Sequence, residues 1–554
     1  MSVMAYMPYG AGGIIIRVEA DIRRGIPGVD ITGLAEGAVR EARERVRAAF
    51  RNSGFSFPLD RILINLAPAG LRKDGAALDL PIALSVMAAA GIVPVPEKLL
   101  VMGELELSGR IRPVRGVLAA IAAGLAEGIS EFIVPAENAK EAAILTGKGA
   151  KFTAAENLQG AVHALIIRNE SGHLPIPLET NAAQETSLQN AAADDTNAVF
   201  CNEVSRANCG DFADVRGQWV YKRALEIAAA GGHNALVFGP PGAGKTMLAR
   251  RLPSIMAPLT PDEAVEVTRL HSLAGPLSNN GGFIDRLITH PPFRAPHHSA
   301  SAEGILGGGR IPRPGEISLA HYGALFLDEA PEFRINVLQS LREPLEDRVI
   351  SIVRAEGPMR LPAEFQLLMS ANSCPCGRLG MREIADEGID TSYNGGRTCF
   401  CSPEEINRYW RKFGGALLDR IEIRTAVIPP TISEIGAKNL SAGEEKSGVI
   451  AGRVRTAVEI QRRRYRGLGI RRNALIPAGR INAFCPMSEK AEAALEKAIA
   501  RLGLSGRAYH GIIRVARTIA DLEGRETLET EHILEAVQHR RFGEDPWDIL
   551  GAYE

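Results

Sequence analysis

The residues with the clearest chemistry form a glycine-rich loop between two segments of regular pattern. The loop reads Gly239, Pro240, Pro241, Gly242, Ala243, Gly244, Lys245 and Thr246, and Met247 follows it. The apolar run 235–238 before the loop predicts a strand, and residues 247–252 predict a helix. In this context backbone N–H groups wrap phosphates, a lysine reaches the β and γ oxygens, and a threonine hydroxyl ligates Mg²⁺. We therefore predict that residues 239–247 bind ATP with Mg²⁺, with a chance match as the alternative.

Two further apolar runs end in polar side chains that suit the same chemistry. Residues 325–327 lead to Asp328 and Glu329, and residues 367–371 lead to Asn372. Beside a phosphate loop, Asp328 would help to hold hydrated Mg²⁺ and Glu329 would polarise the attacking water. The Asn372 amide could orient that water or sense the γ-phosphate. Alone, an Asp-Glu pair is often a solvated strand edge and an Asn an ordinary turn residue, so the catalytic interpretation depends on the preceding loop.

These runs, followed by residues 415–420, resemble an AAA+ motor module. In that class an arginine near the position of Arg420 is an arginine finger that reaches the γ-phosphate held by a neighbouring subunit. A local pair between Arg420 and Asp419 is the alternative. Residues 504–510 lead into a segment that resembles the lid helix carrying a sensor arginine, for which Arg507 is the first candidate and Arg514 the second.

The composition predicts a multidomain chain without a global electrostatic field. Its 554 residues are too many for one core, and 64 basic residues balance 65 acidic ones. Any contact with DNA must therefore be local. No apolar run approaches the roughly 18 residues of a membrane span, and the first ten residues lack the pattern of a signal peptide. We expect a cytoplasmic protein without membrane contact.

The pattern of elements predicts an α/β multidomain fold in four segments. Residues 1–168 alternate short strands with alanine-rich helices, and residues 169–207 form a polar linker that cannot bury enough apolar surface to order itself. Residues 208–431 have the strand spacing of a parallel αβα phosphate-loop domain. Residues 432–554 predict an α-helical lid.

Nearly the whole chain is similar to the YifB/ComM family of magnesium-chelatase-like AAA+ proteins. The similarity is carried by residues 24–28, 43–49, 214–218, 228–234 and 293–301. It implies a hexameric ring, and its ComM branch implies a DNA helicase that drives branch migration during natural transformation. The alternatives are a chelatase-like ATPase that remodels a protein or metal-insertion partner, and an ATP-dependent protease. His297 and His298 favour an insertion loop over a metal site.

Residues 73–138 resemble the proteolytic domain of Lon, which acts through a Ser/Lys dyad. Both dyad positions are apolar here. Residues 76–78 are Ala-Ala-Leu where the serine is expected, and the lysine position falls within residues 115–120, which contain no lysine. Ser85 and Ser108 lack an accompanying lysine. We therefore predict a domain without peptidase activity that supports assembly or partner contact.

Four of the seven cysteines form two C-x-C pairs just after Asn372. They are Cys374 with Cys376, and Cys399 with Cys401. Four thiolates suit tetrahedral Zn²⁺, so these residues are candidate ligands of a closed structural zinc site beside the ATP site. Free thiols are the alternative. Cys201, Cys209 and Cys485 lie outside the pattern.

Two regions are candidates for sequence-independent contact with branched or single-stranded DNA. Residues 451–480 hold nine arginines against one acid, for a local charge of 9 − 1 = +8. They are Arg453, Arg455, Arg462, Arg463, Arg464, Arg466, Arg471, Arg472 and Arg480. Such density could neutralise DNA phosphates, although solvated faces and intersubunit contacts have the same composition. The second region is a predicted hairpin over residues 349–361, with Arg354 and Arg360 beside its turn, which could project into a ring channel.

Overall fold

The fold is that of an α/β multidomain protein, as the sequence predicts. The computed structural model describes residues 2–34, 37–73, 75–175, 210–275, 286–309, 313–354, 357–379, 399–427 and 445–540. Most of the predicted linker, with Cys201 and Cys209, lies outside these residues. No helix in the described ranges is long and apolar enough to cross a membrane.

The N-terminal region is built on a mixed sheet. Its strands are β1 (Ser2–Met7), β2 (Ile14–Arg23), β3 (Gly28–Thr32), β4 (Arg61–Ala67), β5 (Leu99–Val101), β6 (Glu104–Leu105), β7 (Ile111–Arg112), β8 (Glu131–Pro135) and β9 (Lys151–Ala155). Seven of these pair in the order β3-β4-β2-β1-β5-β8-β9, and β6 pairs with β7. The helices are α1 (Gly37–Asn52), α2 (Asp79–Ala89), α3 (Val117–Ala126), α4 (Ala139–Ala143) and α5 (Leu158–Ser171). Because α5 continues to Ser171 and Leu174 joins the core, this region extends past the predicted boundary at residue 168.

The middle region holds a second sheet and two separate antiparallel strand pairs. Its strands are β10 (Ala235–Phe238), β11 (Phe293–Arg294), β12 (Gly307–Gly308), β13 (Arg313–Pro314), β14 (Ala324–Leu327), β15 (Val349–Arg354), β16 (Gly357–Pro362), β17 (Gln366–Ala371) and β18 (Ile423–Ala426). Five strands form a parallel sheet in the order β11-β14-β17-β10-β18, and the separate pairs are β12 with β13 and β15 with β16. β10, β14 and β17 are buried along their whole length, which explains their continuous apolar runs.

Nine helices of the described residues surround this sheet. They are α6 (Trp219–Gly231), α7 (Lys245–Ala249), α8 (Pro261–Ala274), α9 (Ala302–Leu306), α10 (Glu316–Leu319), α11 (Ile335–Ser340), α12 (Arg342–Asp347), α13 (Pro403–Arg411) and α14 (Gly415–Leu418). Thr260 and Glu263 form a capping box that begins α8, and Ser402 with Glu405 does the same for α13. These caps fix where the two helices begin.

The C-terminal helices pack on the middle region. They are α15 (Ser447–Arg464), α16 (Ile481–Phe484), α17 (Glu489–Leu502), α18 (Gly506–Leu522) and α19 (Thr530–Gln538). Val454, Ile512 and Ile519 belong to the same buried cluster as Ala235 and Val237 of the parallel sheet. The predicted lid therefore has no core separate from the sheet within the described residues.

A buried seam joins the N-terminal and middle regions, where α8 packs on α3. Leu273 of α8 is 4% exposed and lies in an N-terminal core cluster with Val117 and Leu118. Glu141 accepts hydrogen bonds from the Leu118 amide at 2.9 Å and from the Ser272 hydroxyl. Burial raises the pKa of Glu141, and the hydrogen bonds oppose that shift. The seam fixes the two regions relative to each other.

Candidate nucleotide-binding site

The glycine-rich loop lies between β10 and α7, so the strand, loop and helix follow each other as predicted. Gly244 precedes α7 with φ of +81°, a left-handed conformation that glycine adopts without a steric penalty. A Cβ at Gly239 would lie 2.3 Å from the Val427 carbonyl oxygen, so the backbone needs a glycine there too. Pro241, Gly242 and Met247 are exposed, whereas Ala243 is buried. The backbone of the loop is thus accessible from solvent, and the buried side chain of Ala243 holds the loop against the protein.

Lys245 is the buried cation of the loop. Its ammonium group donates to the carbonyl oxygens of Gly239 and Pro240, at 2.7 and 2.9 Å, and to Oδ1 of Asn372 at 3.1 Å. Burial lowers the pKa of Lys245 to about 8, while Asp328 and Glu329 oppose the shift. The structure therefore brings together the lysine, both candidate carboxylates and the candidate sensor amide.

Asp328 lies beside the hydroxyl of Thr246. Thr246 Oγ1 donates to Asp328 Oδ1 at 3.0 Å, and Ser370 Oγ donates to the same oxygen at 2.5 Å. Hydroxyl and carboxylate oxygens are the ligands that Mg²⁺ prefers, so Thr246 and Asp328 fit a shared magnesium ion. Ser370 was not predicted. The one available signal was a serine in the strand that ends at Asn372.

Glu329 has a left-handed backbone, with φ of +50°, and its amide donates to Ser370 Oγ at 2.9 Å. A non-glycine residue in this region is uncommon and is often found where a side chain must be aimed. Ser370 thus contacts both carboxylate residues, and it orients them relative to each other.

Asn372 is held by the helix that follows the cysteines. The backbone N–H of Asn372 donates to Oη of Tyr409 at 3.2 Å, and the neighbouring Trp410 indole donates to the Ser373 carbonyl at 3.1 Å. Both aromatic residues lie on α13. They were not predicted, because nothing in their local sequence places them against β17.

The two candidate arginines of the ATPase lie together at a different acceptor. Arg420 and Arg507 both donate to the carboxylate of Glu346, the latter at 2.9 Å. Asp419, the predicted alternative partner of Arg420, instead accepts from Ser505 at 2.9 Å and from Arg540 at 3.2 Å. Arg514 donates from Nε to the Ile476 carbonyl at 2.9 Å. The structure therefore groups Arg507 with Arg420, and neither shares an acceptor with Lys245.

The four clustered cysteines converge as predicted. The Sγ atom of Cys374 lies 3.3 Å from that of Cys376 and 3.6 Å from that of Cys399. All four sulfur atoms, including that of Cys401, lie within 4.8 Å of one another. Burial opposes the shift, but the Arg378 amide and neighbouring thiols lower the pKa of Cys376 to about 6. The residues between the pairs, 380–398, lie outside the described ranges.

The cysteine turn contacts the phosphate loop. Gly377 has φ of +74°, and a Cβ at this position would lie 3.0 Å from Cδ of Pro241 and 4.0 Å from Cγ of Asn372. The turn therefore lies against the phosphate loop with no room for a larger residue at this position. Cys485 is buried in the C-terminal core, away from this cluster.

The arginine-rich segment is largely internal. Arg464 donates to both oxygens of Asp521 at 2.9 and 2.5 Å, and Arg453 donates to Glu226 at 2.5 Å. Arg471 pairs with Glu263, and Arg462 donates to the Pro258 carbonyl at 2.8 Å. Arg472 is 7% exposed. These five arginines are thus engaged within the chain or buried, which neither the DNA interpretation nor its alternatives predicted, while Arg455, Arg463, Arg466 and Arg480 are exposed.

The predicted hairpin is present as β15 paired with β16. Val349 opposes Pro362, and Arg354 opposes Gly357. Arg360 is exposed, whereas the side chain of Arg354 and the turn residue Glu356 lie outside the described residues. Gly10 of the N-terminal region abuts Met359, since a Cβ there would lie 2.8 Å from Met359 Cγ.

The histidine pair and the described residues of the Lon-like segment make local contacts. The rings of His297 and His298 lie 4.1 Å apart, and the pair belongs to no potential metal-binding cluster among the described residues. Residues 76–78 form a short 3-10 helix, and the segment where the dyad lysine is expected leads into α3 under α8. Ser85 donates to the Val18 carbonyl at 3.2 Å, and Ser108 donates to Glu106 at 3.2 Å.

Three family models match the chain. They are described as magnesium chelatase, subunit ChlI, over residues 211–435; subunit ChlI of Mg-chelatase, over residues 18–138; and magnesium chelatase, subunit ChlI C-terminal, over residues 444–540. The chain is 38% identical over 535 residues to Competence protein ComM of Haemophilus influenzae, covering 96% of this chain and 95% of that protein. It is 39% identical over 528 residues to the uncharacterized protein YifB of Salmonella typhimurium, covering 95% and 94%. A 145-residue stretch is 28% identical to Lon protease of Desulfovibrio desulfuricans, covering 25% of this chain and 16% of that protein.

Proposed function

The chain belongs to the magnesium chelatase ChlI family of AAA+ ATPases that includes ComM and YifB, and on that premise we propose a hexameric motor that couples ATP hydrolysis to movement on DNA. Branched or partly single-stranded DNA is the proposed substrate, and branch migration is the proposed reaction. The family implies ATP and Mg²⁺ as cofactors. Lys245, Thr246, Asp328 and Glu329 act within one subunit, while Arg420 and Arg507 act on the nucleotide of a neighbour.

The observation that supports a ring of several subunits is that Lys245 and the two arginines bond to different acceptors. Lys245 bonds to the loop and to Asn372, whereas Arg420 and Arg507 bond to Glu346. An arginine finger supplied in trans stabilises the charge that develops on the transferred phosphate. A chain whose candidate finger is held elsewhere is therefore suited to hydrolyse ATP only when a second copy completes the site.

DNA contact is assigned to the exposed cations and the hairpin. Arg360 on β16 is exposed, Arg463 and Arg466 are exposed around the C-terminal end of α15, and Arg480 is exposed just before α16. Side chains of this kind bind phosphates without reading bases. The similarity to Competence protein ComM also supports DNA as the substrate, because the ComM branch of the family implies a DNA helicase.

A structural zinc ion is proposed for Cys374, Cys376, Cys399 and Cys401. Four thiolates about 2.3 Å from a tetrahedral zinc lie about 3.8 Å from one another, close to the separations of 3.3 to 3.6 Å between three of these sulfur atoms. Zinc would fix the turn at Gly377 that contacts Pro241 of the phosphate loop. The metal thus supports the ATP site without taking part in hydrolysis.

The test is steady-state ATP hydrolysis with no DNA, duplex, single strand and a four-way junction. We expect stimulation that is strongest with the junction and absent in Lys245→Ala. Lys490→Ala, an exposed lysine on α17, is the matched control and should behave as the wild type. Lys245-dependent hydrolysis that no DNA changes would contradict the DNA motor and favour the chelatase-like remodelling of a protein partner.

A further inference from the structure

Glu346 is the common acceptor of the two arginines. It lies on α12 and is half exposed, with one oxygen accepting from Arg420 and the other from Arg507 at 2.9 Å. The Arg420 guanidinium holds the pKa of Glu346 below its ordinary value, although partial burial opposes this. Two cations share one carboxylate, so Glu346 alone does not balance the charges of Arg420 and Arg507.

Arg420 is folded back against its own subunit. Its Nη1 donates to the Ala416 carbonyl at 2.6 Å, its Nη2 donates to Glu346, and the side chain is only 14% exposed. Its Nε is buried and donates to no acceptor in the described part of the chain. A buried donor without an acceptor is unfavourable, so a phosphate that satisfied the guanidinium could draw the side chain out of this position.

The helix that carries Glu346 leads directly into the hairpin. α12 ends at Asp347, and Arg348 turns the chain with φ of +58° before β15 begins at Val349. The Arg348 carbonyl accepts from the amide of Ala363, just after β16 ends. Glu346 therefore lies three residues before the hairpin whose base this hydrogen bond closes.

An open groove borders the same residues. It has a volume of about 730 Å³ and is lined by Glu346, Arg420, Ile350 and Ile352, among others. It opens onto Arg420, and its other charged lining residues are Glu303, Arg342, Glu343 and Asp347.

We propose that Glu346 is a latch: it holds Arg420 and Arg507 away from catalysis until the triphosphate of a neighbouring subunit displaces it, and its release frees α12 and the hairpin β15–β16. The latch rests on the proposed function, because it requires that the two arginines act across a subunit interface. It makes Glu346 a positioning residue, since it acts through the arginines and does not touch the nucleotide.

The first test compares Glu346→Gln with Glu343→Gln, an exposed glutamate on the same helix. Without DNA, we expect kcat for ATP to rise at least about threefold in Glu346→Gln, with KM changed less than about twofold and with less stimulation by DNA. Glu346→Asp keeps the charge and should restore low basal activity. Glu343→Gln should match the wild type, and the thermal midpoints of all variants should agree.

A purely structural ion pair predicts a different outcome. A kcat that is unchanged or lower in Glu346→Gln, while Arg420→Ala loses activity, would overturn the latch and leave the proposed function standing. Full activity in Arg420→Ala would overturn both.

Hydrogen exchange of the full chain gives a second readout that does not depend on turnover. With a non-hydrolysable ATP analogue, we expect the backbone amides of residues 349–362 to exchange faster in the wild type. Glu346→Gln should show the faster exchange without nucleotide. Equal exchange in both proteins under both conditions would overturn the coupling to the hairpin.

Discussion

The two α/β regions of the molecule each bury a lysine, and the difference between the two sites shows what makes a buried cation functional. Lys73 in the N-terminal region is 0% exposed, and its ammonium donates to the Pro68 carbonyl. Lys245 in the middle region is 8% exposed and bonds to two loop carbonyls and Asn372. Burial lowers the pKa of both lysines. Next to the acceptors of Lys245 the loop becomes exposed at Pro241 and Gly242, so phosphate can enter.

The same contrast separates the lost dyad from the nucleotide site. The segment where a Lon-like lysine is expected leads into α3, and Leu118 there packs with Leu273 of α8. An apolar surface of this kind offers no proton acceptor and no nucleophile. At this position the N-terminal region packs apolar side chains together, whereas the middle region brings polar groups together at the phosphate loop.

The largest expected difference between the two buried lysines is seen when each is replaced by methionine. Lys245→Met should lower kcat/KM for ATP at least about 100-fold, or about 2.7 kcal/mol, because the cation that stabilises the β and γ oxygens is lost. Lys73→Met should stay within about twofold of the wild type, and its thermal midpoint should be equal or higher because a buried charge is removed. Steady-state hydrolysis and thermal unfolding measure the two effects. A folded Lys73→Met protein without ATPase activity would show that the N-terminal lysine belongs to the catalytic machinery.

Features encoded by neighbouring residues could be predicted from the sequence. The phosphate loop follows from glycines whose backbone conformation is local, and β10, β14 and β17 follow from apolar runs buried on both faces. The clustering of the cysteines could likewise be predicted, because it is visible in the two C-x-C pairs that follow Asn372.

Features that depend on distant partners could not be predicted. A count of arginines in residues 451–480 suggests a basic surface, yet Arg464 is neutralised by Asp521 and Arg471 by Glu263, 208 positions away. Ser370 and Glu346 were missed for the same reason. Their roles arise from contacts with Asp328 and Arg420 across the fold, which no periodicity records.

Removal of a proposed zinc ligand tests whether the cysteine cluster supports the nucleotide site. Cys376→Ser should lower bound zinc from about one to less than ~0.2 per chain and weaken ATP binding about tenfold, because the turn at Gly377 no longer supports Pro241. Elemental analysis and nucleotide titration measure these effects. Cys485→Ser, a buried thiol elsewhere, should keep both values. A wild-type protein purified without chelators that contains no zinc would contradict the site.

The smallest expected effect tests whether Lys245 itself titrates. Its pKa is lowered to about 8 in the free protein, and bound phosphate should raise it, so binding takes up a proton above pH 8. Nucleotide affinity is therefore complete below that pH and falls as pH rises, by about fourfold between pH 7 and 8.5. Lys245→Arg should bind without this dependence because a guanidinium stays charged, and Lys73→Met should retain it. If the wild type bound nucleotide equally well at both pH values, the lowered pKa of Lys245 would have no effect on binding. The two buried lysines would then differ only in whether phosphate can reach them.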